Sequence, residues 1–172
     1  MARFTELENK IMEMIEQKHY KLLKDKISEF NSYDLAELLG RLPEKNMLLL
    51  FRLLPKDLAA DTFVEMDTEQ QKALIDSFSD NELKEVIEEL YIDDMVDIVE
   101  EMPANVVKRI LKNSTDSTRK TINQILNYPQ DSAGSIMTTE YVSLRSSMTI
   151  ADAIAKIRRI GLDSETIEVC YV

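Results

Sequence analysis

The strongest constraint on the fold of this chain is a repeat of 24 residues that runs through positions 34–129. Apolar residues recur at that spacing without any insertion or deletion. Three columns of the repeat are apolar throughout: Leu39, Phe63, Ile87 and Leu111; Leu50, Leu74, Ile98 and Ile122; and Leu54, Phe78, Met102 and Leu126. A degenerate copy precedes these four units, so we count five. Such a period predicts stacked copies of one supersecondary unit.

Each repeat unit predicts two short helices, because its apolar residues fall at helical spacings, as Leu83, Ile87 and Leu90 do. Helices of roughly ten residues are marginal in isolation, so each pair must bury its apolar stripe against the neighbouring pair. The predicted fold is therefore mainly α, a right-handed-type superhelix of about ten helices in short pairs. The predicted helices cover residues 5–18, 20–30, 34–42, 44–54, 56–65, 68–78, 80–90, 94–102, 104–113 and 116–127.

The character of the sequence changes after Tyr128 and Pro129, where the repeat stops and small polar residues take over. We predict a domain boundary there, with an α-superhelical N domain over 1–129 and a linker plus half of an α/β module over 130–172. In the second part we predict a strand at 142–144, a helix from Thr149 to Gly161 and a strand at 166–172. A β-α-β fragment with an open edge cannot close a core of its own, so we expect the natural protein to continue past Val172.

Composition restricts the partners of the chain. A net charge of −11 and a pI near 4.6 repel nucleic acid and anionic lipid, and favour divalent cations or basic proteins. The single cysteine, Cys170, excludes an internal disulfide, suits a reducing compartment and is expected to be a buried strand residue. No apolar run is long enough for a membrane span or a signal peptide, so we expect a soluble, cytosolic chain.

The segment 80–101 is unusually acidic, with ten acids against one base. A solvated helix face explains most of these acids. Asp97 differs, because the same column of the repeat has Leu49 and Ala73. Asp93 lies one turn earlier, and two carboxylates about 5–6 Å apart repel by on the order of 1–3 kcal/mol. A hard cation such as Mg²⁺ would offset that repulsion, and we expect helix pairing to bring Asp61 close to the same edge. A magnesium site and a solvated face both remain open here.

Catalytic motifs are absent from the sequence. There is one histidine, His19, with no arrangement that would activate a serine or cysteine, and no zinc-type spacing of Cys and His. The three glycines, Gly40, Gly134 and Gly161, do not form a phosphate-binding loop. The sequence therefore predicts that the chain is not an enzyme.

Several segments resemble the cytosolic part of the MgtE-type magnesium transporter family. The junction into that family's first CBS module is similar to NYPQDSAGSIMTTEYV at 127–142, TIADAIAKIRR at 149–159 and ETIEVCYV at 165–172. The family's N domain is similar to RLLPKDLAADTF at 52–63 and ELYIDDMVDIVEEMP at 89–103. The resemblance covers nearly the whole chain, and its junction motif is fairly specific.

The resemblance implies a cytosolic regulatory region of a magnesium transporter or channel, at the cytoplasmic face of the cell membrane. It implies weak regulatory Mg²⁺ sites between the N domain and the CBS modules, with Asp61, Asp93 and Asp97 as metal ligands. Asp61 stands where the family pattern has a glutamate. The implied partners are the CBS modules and transmembrane domain of the same protein, which is expected to be a homodimer and not to bind nucleic acid.

The implied mechanism is an ionic switch, in which facing carboxylates repel at low Mg²⁺ and the assembly closes, shutting the pore, at higher Mg²⁺. The incomplete CBS module predicts no nucleotide binding by this chain alone. Two alternatives remain. One is an α-superhelical docking scaffold similar to the flagellar motor switch protein FliG, and the other is a CBS-regulated soluble enzyme with an appended helical domain.

Overall fold

The computed structural model describes residues 2–130, 132–161 and 164–172. Within them the chain forms eleven α-helices and two β-strands. The helices are α1 (Ala2–Glu16), α2 (Tyr20–Ile27), α3 (Ser32–Gly40), α4 (Glu44–Phe51), α5 (Lys56–Val64), α6 (Thr68–Ser77), α7 (Asp80–Glu89), α8 (Ile92–Glu101), α9 (Ala104–Asn113), α10 (Asp116–Ile125) and α11 (Ile150–Ile160). The strands are β1 (Tyr141–Ser143) and β2 (Thr166–Tyr171). The predicted fold, mainly α with a small α/β part, is confirmed, and the hand of the superhelix stays a prediction.

The chain divides into two compact units. The first runs from the N-terminus to Leu90 and includes Ile98–Thr115, whereas the second consists of Tyr91–Asp97 and Asp116–Val172. Helix α8 therefore contributes its N-terminal half to the second unit and its C-terminal half to the first. The predicted domain boundary between residues 129 and 130 stays a prediction.

In the first unit, alternate helices pack on one another: α3 contacts α5, α5 contacts α7, and α7 contacts α9. The aromatic ring of Phe51 lies 6.3 Å from that of Phe63 in an edge-on arrangement and 5.6 Å from that of Phe78. One buried polar side chain is satisfied by backbone, since Gln71 donates to the carbonyl of Phe63 at 2.9 Å. Packing between successive repeats thus forms the core, as the 24-residue period predicted.

The apolar columns of the repeat are buried in most units. The column of Leu50, Leu74, Ile98 and Ile122 is at most 6% exposed in every copy. The column that ends at Leu126 is buried in its first three copies, but Leu126 itself is 37% exposed. The last copy of the repeat therefore keeps the apolar sequence pattern, although its final apolar residue is no longer buried.

Caps define several helix ends. The Asp67 side chain accepts from the Gln70 amide at 2.8 Å at the start of α6. Ser79 and Glu82 form a complete capping box at the start of α7, in which each side chain accepts from the other residue's backbone amide. These caps satisfy amides that have no partner inside the helix, and so fix where each short helix begins.

The second unit contains the predicted β-α-β arrangement, in which α11 connects two parallel strands. Val142 of β1 is fully buried, but α11 buries none of its residues. On β2, Ile167 and Val169 are more than half exposed. Cys170 lies in β2 as expected but is only half-buried, because this strand has no covered face. No helix in the described part of the chain is long and apolar enough to cross a bilayer.

Candidate metal centre

The acidic site is built on the first two turns of α8, which belong to the second unit. Asp93 and Asp97 lie one turn apart on this helix, and Asp97 is exposed whereas Asp93 is half-buried. Met95 and Val96, between them, are buried. The apolar residues therefore fix the rotation of the helix and leave the two carboxylates on one side of it.

Two glutamates from the β-α-β part lie at one edge of the small sheet. Glu140 immediately precedes β1, and Glu165 immediately precedes β2. Because the strands are parallel, with Tyr141 paired to Thr166, both strand starts lie at the same edge. The Glu165 amide donates to the Glu140 carbonyl at 2.9 Å and holds the two residues side by side.

Glu140 connects that sheet edge to α8. Its Oε2 accepts a hydrogen bond from the Ile92 amide at 2.8 Å, at the first residue of the helix. A carboxylate there satisfies an amide that has no partner within the helix and interacts favourably with the helix dipole. The contact brings Glu140 next to Asp93, the following residue.

Asp93 occupies an unfavourable position for a charged group. Its Oδ1 is buried and has no hydrogen-bond partner among the described residues. Burial raises the pKa of Asp93, and the negative charges of Glu165 and Asp97 raise it further. Backbone amides at the start of α8 offset only part of this rise. The charged form of Asp93 is thus only partly compensated within the site.

The charge of Glu140 is also only partly compensated. Burial raises the pKa of Glu140, and the nearby charges of Asp93 and Glu165 add to that rise. The hydrogen bond from the Ile92 amide acts in the opposite direction without reversing the shift. Two carboxyl groups of one small cluster therefore favour protonation or a nearby positive charge.

In the part of the chain that the structure describes, no base neutralises the cluster of Asp93, Asp97, Glu140 and Glu165, which we call the acidic edge. Among the described residues, none of the ion pairs includes any of these four acids. Carboxylate oxygens suit a hard cation such as Mg²⁺, and the orphaned Oδ1 of Asp93 fits that role. In the described part of the chain, however, no three acidic, histidine or cysteine side chains converge to hold a metal ion. The acidic edge alone supplies only part of a coordination shell.

The third predicted ligand, Asp61, lies in the first unit. It is exposed on α5, two residues before the buried Phe63. The structure brings Asp93 and Asp97 together on one helix, and the participation of Asp61 in the same site stays a prediction.

The sequence analysis missed Glu140 and Glu165. Their positions carried a usable signal, because Glu165 directly precedes one predicted strand of a β-α-β unit and Glu140 lies two residues before the other. Parallel strands of such a unit start at the same edge, so residues in front of them are expected to be neighbours. The hydrogen bond from Ile92 to Glu140 had no comparable signal, since it joins residues 48 positions apart.

Comparison with known proteins identifies related sequences over most of the chain. Residues 30–131 match the family described as the MgtE intracellular N domain. The magnesium transporter MgtE of Bacillus subtilis is 27% identical over 146 residues, which cover 85% of this chain and 32% of that protein. The magnesium transporter MgtE of Thermus thermophilus is 30% identical over 167 residues, which cover 94% of this chain and 37% of that protein. The chain spans about a third of the length of these relatives.

Two solved structures have a similar fold. The cytosolic domain of the Mg²⁺ channel MgtE in complex with ATP superposes with a TM-score of 0.84 at 30% identity, covering 94% of this chain and 66% of that one. The soluble part of a magnesium transporter superposes with a TM-score of 0.83 at 22% identity, covering 98% of this chain and 67% of that one. At that lower identity the second likeness shows the fold alone.

Proposed function

The chain belongs to the MgtE intracellular N domain family, and on this premise we propose that it is a cytosolic regulatory region of a magnesium transporter that senses Mg²⁺ through its acidic edge. The matched residues make up only 32% and 37% of the two magnesium transporters. Transport itself would then belong to the rest of the protein, and this chain would control it. The β-α-β part would be the start of a CBS module.

The observation that carries the proposal is the incompletely compensated charge at Asp93. Its Oδ1 is buried without a partner, and neither Asp97, Glu140 nor Glu165 is paired with a base among the described residues. A cluster of this kind is destabilising unless something neutralises it. A cation bound from outside the chain is the simplest way to neutralise these carboxylates.

We assign separate roles to the four acids of the acidic edge. Asp93 and Asp97 would supply ligand oxygens, with Asp61 as a third candidate from the first unit. Glu140 would act as a positioning residue, because its carboxylate holds the first turn of α8. Glu165 would keep Glu140 in place through their backbone hydrogen bond and add negative charge. Bound Mg²⁺ would supply the positive charge that removes the repulsion among these groups.

The switch would work by differential binding. Without a cation, the acidic edge repels any acidic surface that approaches it. With the charge neutralised, such a surface can close on it, and several weak sites together supply the few kcal/mol that shift a two-state equilibrium. We propose that the CBS modules and the transmembrane domain of the same protein supply that surface, in a homodimeric parent.

The comparisons favour this function over the two alternatives. The family match and both curated relatives concern a magnesium transporter, rather than the flagellar motor switch scaffold. The prediction that the chain is not an enzyme is confirmed, because its family is an intracellular domain of a transporter.

Thermal melting of the full-length protein in millimolar Mg²⁺ tests the proposal. We expect Mg²⁺ to raise the melting temperature of the cytosolic part, and the combined change Asp93→Ala with Asp97→Ala to remove most of the rise. Ligand binding to the folded state alone stabilises it in this concentration-dependent way. For the present chain alone we expect little response, because its ligand set is incomplete.

The matched control is Glu85→Ala with Glu89→Ala. These two acids are also four residues apart on one helix, but both are exposed and lie on α7 in the first unit. They should leave the Mg²⁺ response unchanged. A melting temperature that stays constant from zero to tens of millimolar Mg²⁺, or an equal loss in both double variants, would count against the site.

A further inference from the structure

Helix α4 presents an apolar face outward as well as inward. Its buried face carries Met47, Leu50 and Phe51. A second face carries Leu48 and Leu49, both half-buried. Lys45 lies one turn before these leucines and Arg52 one turn after them. That face consists of Lys45, Leu48, Leu49 and Arg52, at the i, i+3, i+4, i+7 spacing of a single helix face. Packing within the first unit therefore leaves part of the apolar surface of α4 uncovered.

This second face forms one wall of a groove in the first unit, which we call the α4 groove. The groove has a volume of about 380 Å³ and is lined by Tyr20, Lys45, Leu48, Leu49, Arg52 and Leu53. Four of its six lining residues are apolar or aromatic, two are basic, and none is acidic. In a chain of net charge −11, with 32 acids, a basic and apolar groove is a local exception.

The charge of Lys45 is available at the groove. No ion pair among the described residues includes Lys45, which is exposed. Arg52 is engaged, since it donates to Glu82 at 2.9 Å and to the Ser77 carbonyl at 3.2 Å. Helix α2, which contributes Tyr20, also carries the exposed Lys21. The rim of the groove is thus positive and only partly neutralised.

Repeat packing does not require this surface. One repeat later, the columns of Lys45, Leu49 and Arg52 hold an acid, an alanine and an acid, and two repeats later they hold three acids. These later residues are Glu69, Ala73 and Asp76, then Asp93, Asp97 and Glu100. The stacked repeats therefore tolerate basic and apolar residues as well as acidic residues in these columns. The basic and apolar character of the α4 groove therefore calls for a separate explanation.

We propose that the α4 groove binds a short, acidic amphipathic helix of a partner protein. One apolar side chain of that helix would enter between Tyr20 and Leu49, while its carboxylates would lie over Lys45. Amphipathic helices bind grooves in this way, with apolar anchors at helical spacing and flanking charge for specificity. The size of the groove fits one or two anchors, so the affinity is modest.

Two other occupants fit the groove less well. A membrane surface binds apolar side chains that protrude into it, whereas Leu48, Leu49 and Leu53 line a concavity and are half-buried. A second copy of the chain brings its whole net charge of −11, which opposes self-association at low salt more strongly than it opposes a short helix with a few carboxylates.

Fluorescence anisotropy with a labelled helical peptide of repeated Glu-Glu-Leu-Leu units tests the proposal. We expect saturable binding to this chain that Leu49→Gln weakens, whereas any binding of a Lys-Lys-Leu-Leu peptide of equal length, which the net charge of −11 attracts, should not change with Leu49→Gln. Lys45→Glu should weaken binding about three- to tenfold, as expected for reversal of one exposed charge. Leu49→Gln should weaken it by about tenfold, because an apolar anchor loses its contact.

Matched variants separate the groove from general charge and hydrophobicity. Lys120→Glu makes the same charge change on α10, and Leu22→Gln makes the same polar change at a 63% exposed leucine outside the groove lining. Both should bind the peptide like the unaltered chain, with circular dichroism confirming that all four variants are folded. Equal effects of Lys45→Glu and Lys120→Glu, or no saturable binding, would overturn the proposal.

Two further measurements test the other occupants directly. Co-sedimentation with phosphatidylglycerol vesicles that Leu49→Gln abolishes would overturn the proposal in favour of a membrane surface. Concentration-dependent dimerisation in analytical ultracentrifugation that Leu49→Gln abolishes would overturn it in favour of a second copy. We expect neither.

Discussion

The start of α7 in the first unit and the acidic edge in the second unit are both rich in carboxylates, but their electrostatics are opposite. Around α7, a hydrogen bond from Lys112 and its charge lower the pKa of Asp80, and Arg109 contributes further. The Ser79 amide lowers the pKa of Glu82, with help from Arg52. At the acidic edge, burial and neighbouring acids raise the pKa values of Asp93 and Glu140.

The difference shows that acid content alone does not indicate a cation site. The acids at the start of α7 have partners within the chain, Asp80 in bases of α9 and Glu82 in the capping box. At the acidic edge, no base among the described residues pairs with Asp93 or Glu140. Only the acidic edge contains carboxylates whose negative charge is not balanced, and this distinguishes a candidate metal centre from a solvated helix face.

The largest effect is expected from removing the central base of the first unit. Arg109 is half-buried and donates to the carbonyls of Ile75 and Phe78 at the end of α6, in addition to its 3.5 Å ion pair with Asp80. Arg109→Ala leaves two part-buried carbonyls without a donor and should lower the free energy of unfolding by about 2–3 kcal/mol. Chemical denaturation measures this loss.

The matched control for Arg109→Ala is Lys112→Ala. The Lys112 ammonium also pairs with Asp80, at 3.1 Å, but its side chain is 73% exposed. Its loss should lower the free energy of unfolding by no more than about 0.5 kcal/mol. Similar losses in the two variants would show that Arg109 acts only as a surface charge.

The next largest effect is expected from Asp93→Asn, which should stabilise the fold rather than destabilise it. Asp93→Asn removes a half-buried charge next to Glu140 and Glu165, so it should stabilise the start of α8 by about 1 kcal/mol at neutral pH, after allowance for solvent screening. Amide hydrogen exchange of the α8 residues measures the change. Asp80→Asn, the same substitution in the first unit, should instead cause a small loss. Destabilisation by Asp93→Asn would mean that the acidic edge is already compensated.

The dependence of local stability on pH should also differ in sign between the two regions. The expected change is no larger than that caused by Asp93→Asn. The raised pKa values of Asp93 and Glu140 mean that the folded state binds more protons than the unfolded state above the ordinary values of 3.8 and 4.5. The stability that they contribute is therefore fully present below those values and is lost as pH rises through the folded pKa values. Local stability of the second unit should accordingly fall across that window.

For Glu82, whose pKa is lowered, the contribution is present above the ordinary value of 4.5 and is lost as pH falls through the folded pKa. Hydrogen exchange of α7 and of the first turns of α8, corrected for intrinsic rates, should show opposite slopes with pH. Asp93→Asn combined with Glu140→Gln should flatten the slope at α8. Parallel slopes in the unaltered chain would remove the distinction between the regions.

The smallest effect is expected from monovalent salt. Screening should weaken the exposed ion pairs around α7 and relieve repulsion at the acidic edge, each by a few tenths of a kcal/mol. Sodium chloride should thus lower the local stability of α7 and raise that of the first turns of α8. Loss of stability at both places would show that like-charge repulsion does not govern the acidic edge.

The repeat made most of the fold predictable. A 24-residue period places each helix within a few residues of its observed limits, and Thr149 and Gly161 bound α11 as predicted. Such features depend on local spacing and on capping groups a few residues apart, which a sequence displays directly. The complete capping box of Ser79 and Glu82 was overlooked, although its signal is local.

The candidate site was only half predictable. Asp97 stood out because it departs from its repeat column, and Asp93 because it lies one turn earlier on the same helix face. The role of Glu140 depends on tertiary contact, and the observed start of α8 at Ile92, two residues before the predicted one, follows from the same contact. Propensity within a helix does not reveal an acceptor that lies 48 residues further along the chain.

The hydrogen bond between Ile92 and Glu140 also bears on how the protein is made. The stacked repeats close mainly through contacts between neighbouring segments, which form early as a chain emerges from the ribosome. The first turn of α8 receives its carboxylate acceptor only after another 48 residues have been synthesised. We therefore expect the two halves of this single helix to mature at different times during translation, with the half that carries the acidic edge completed last.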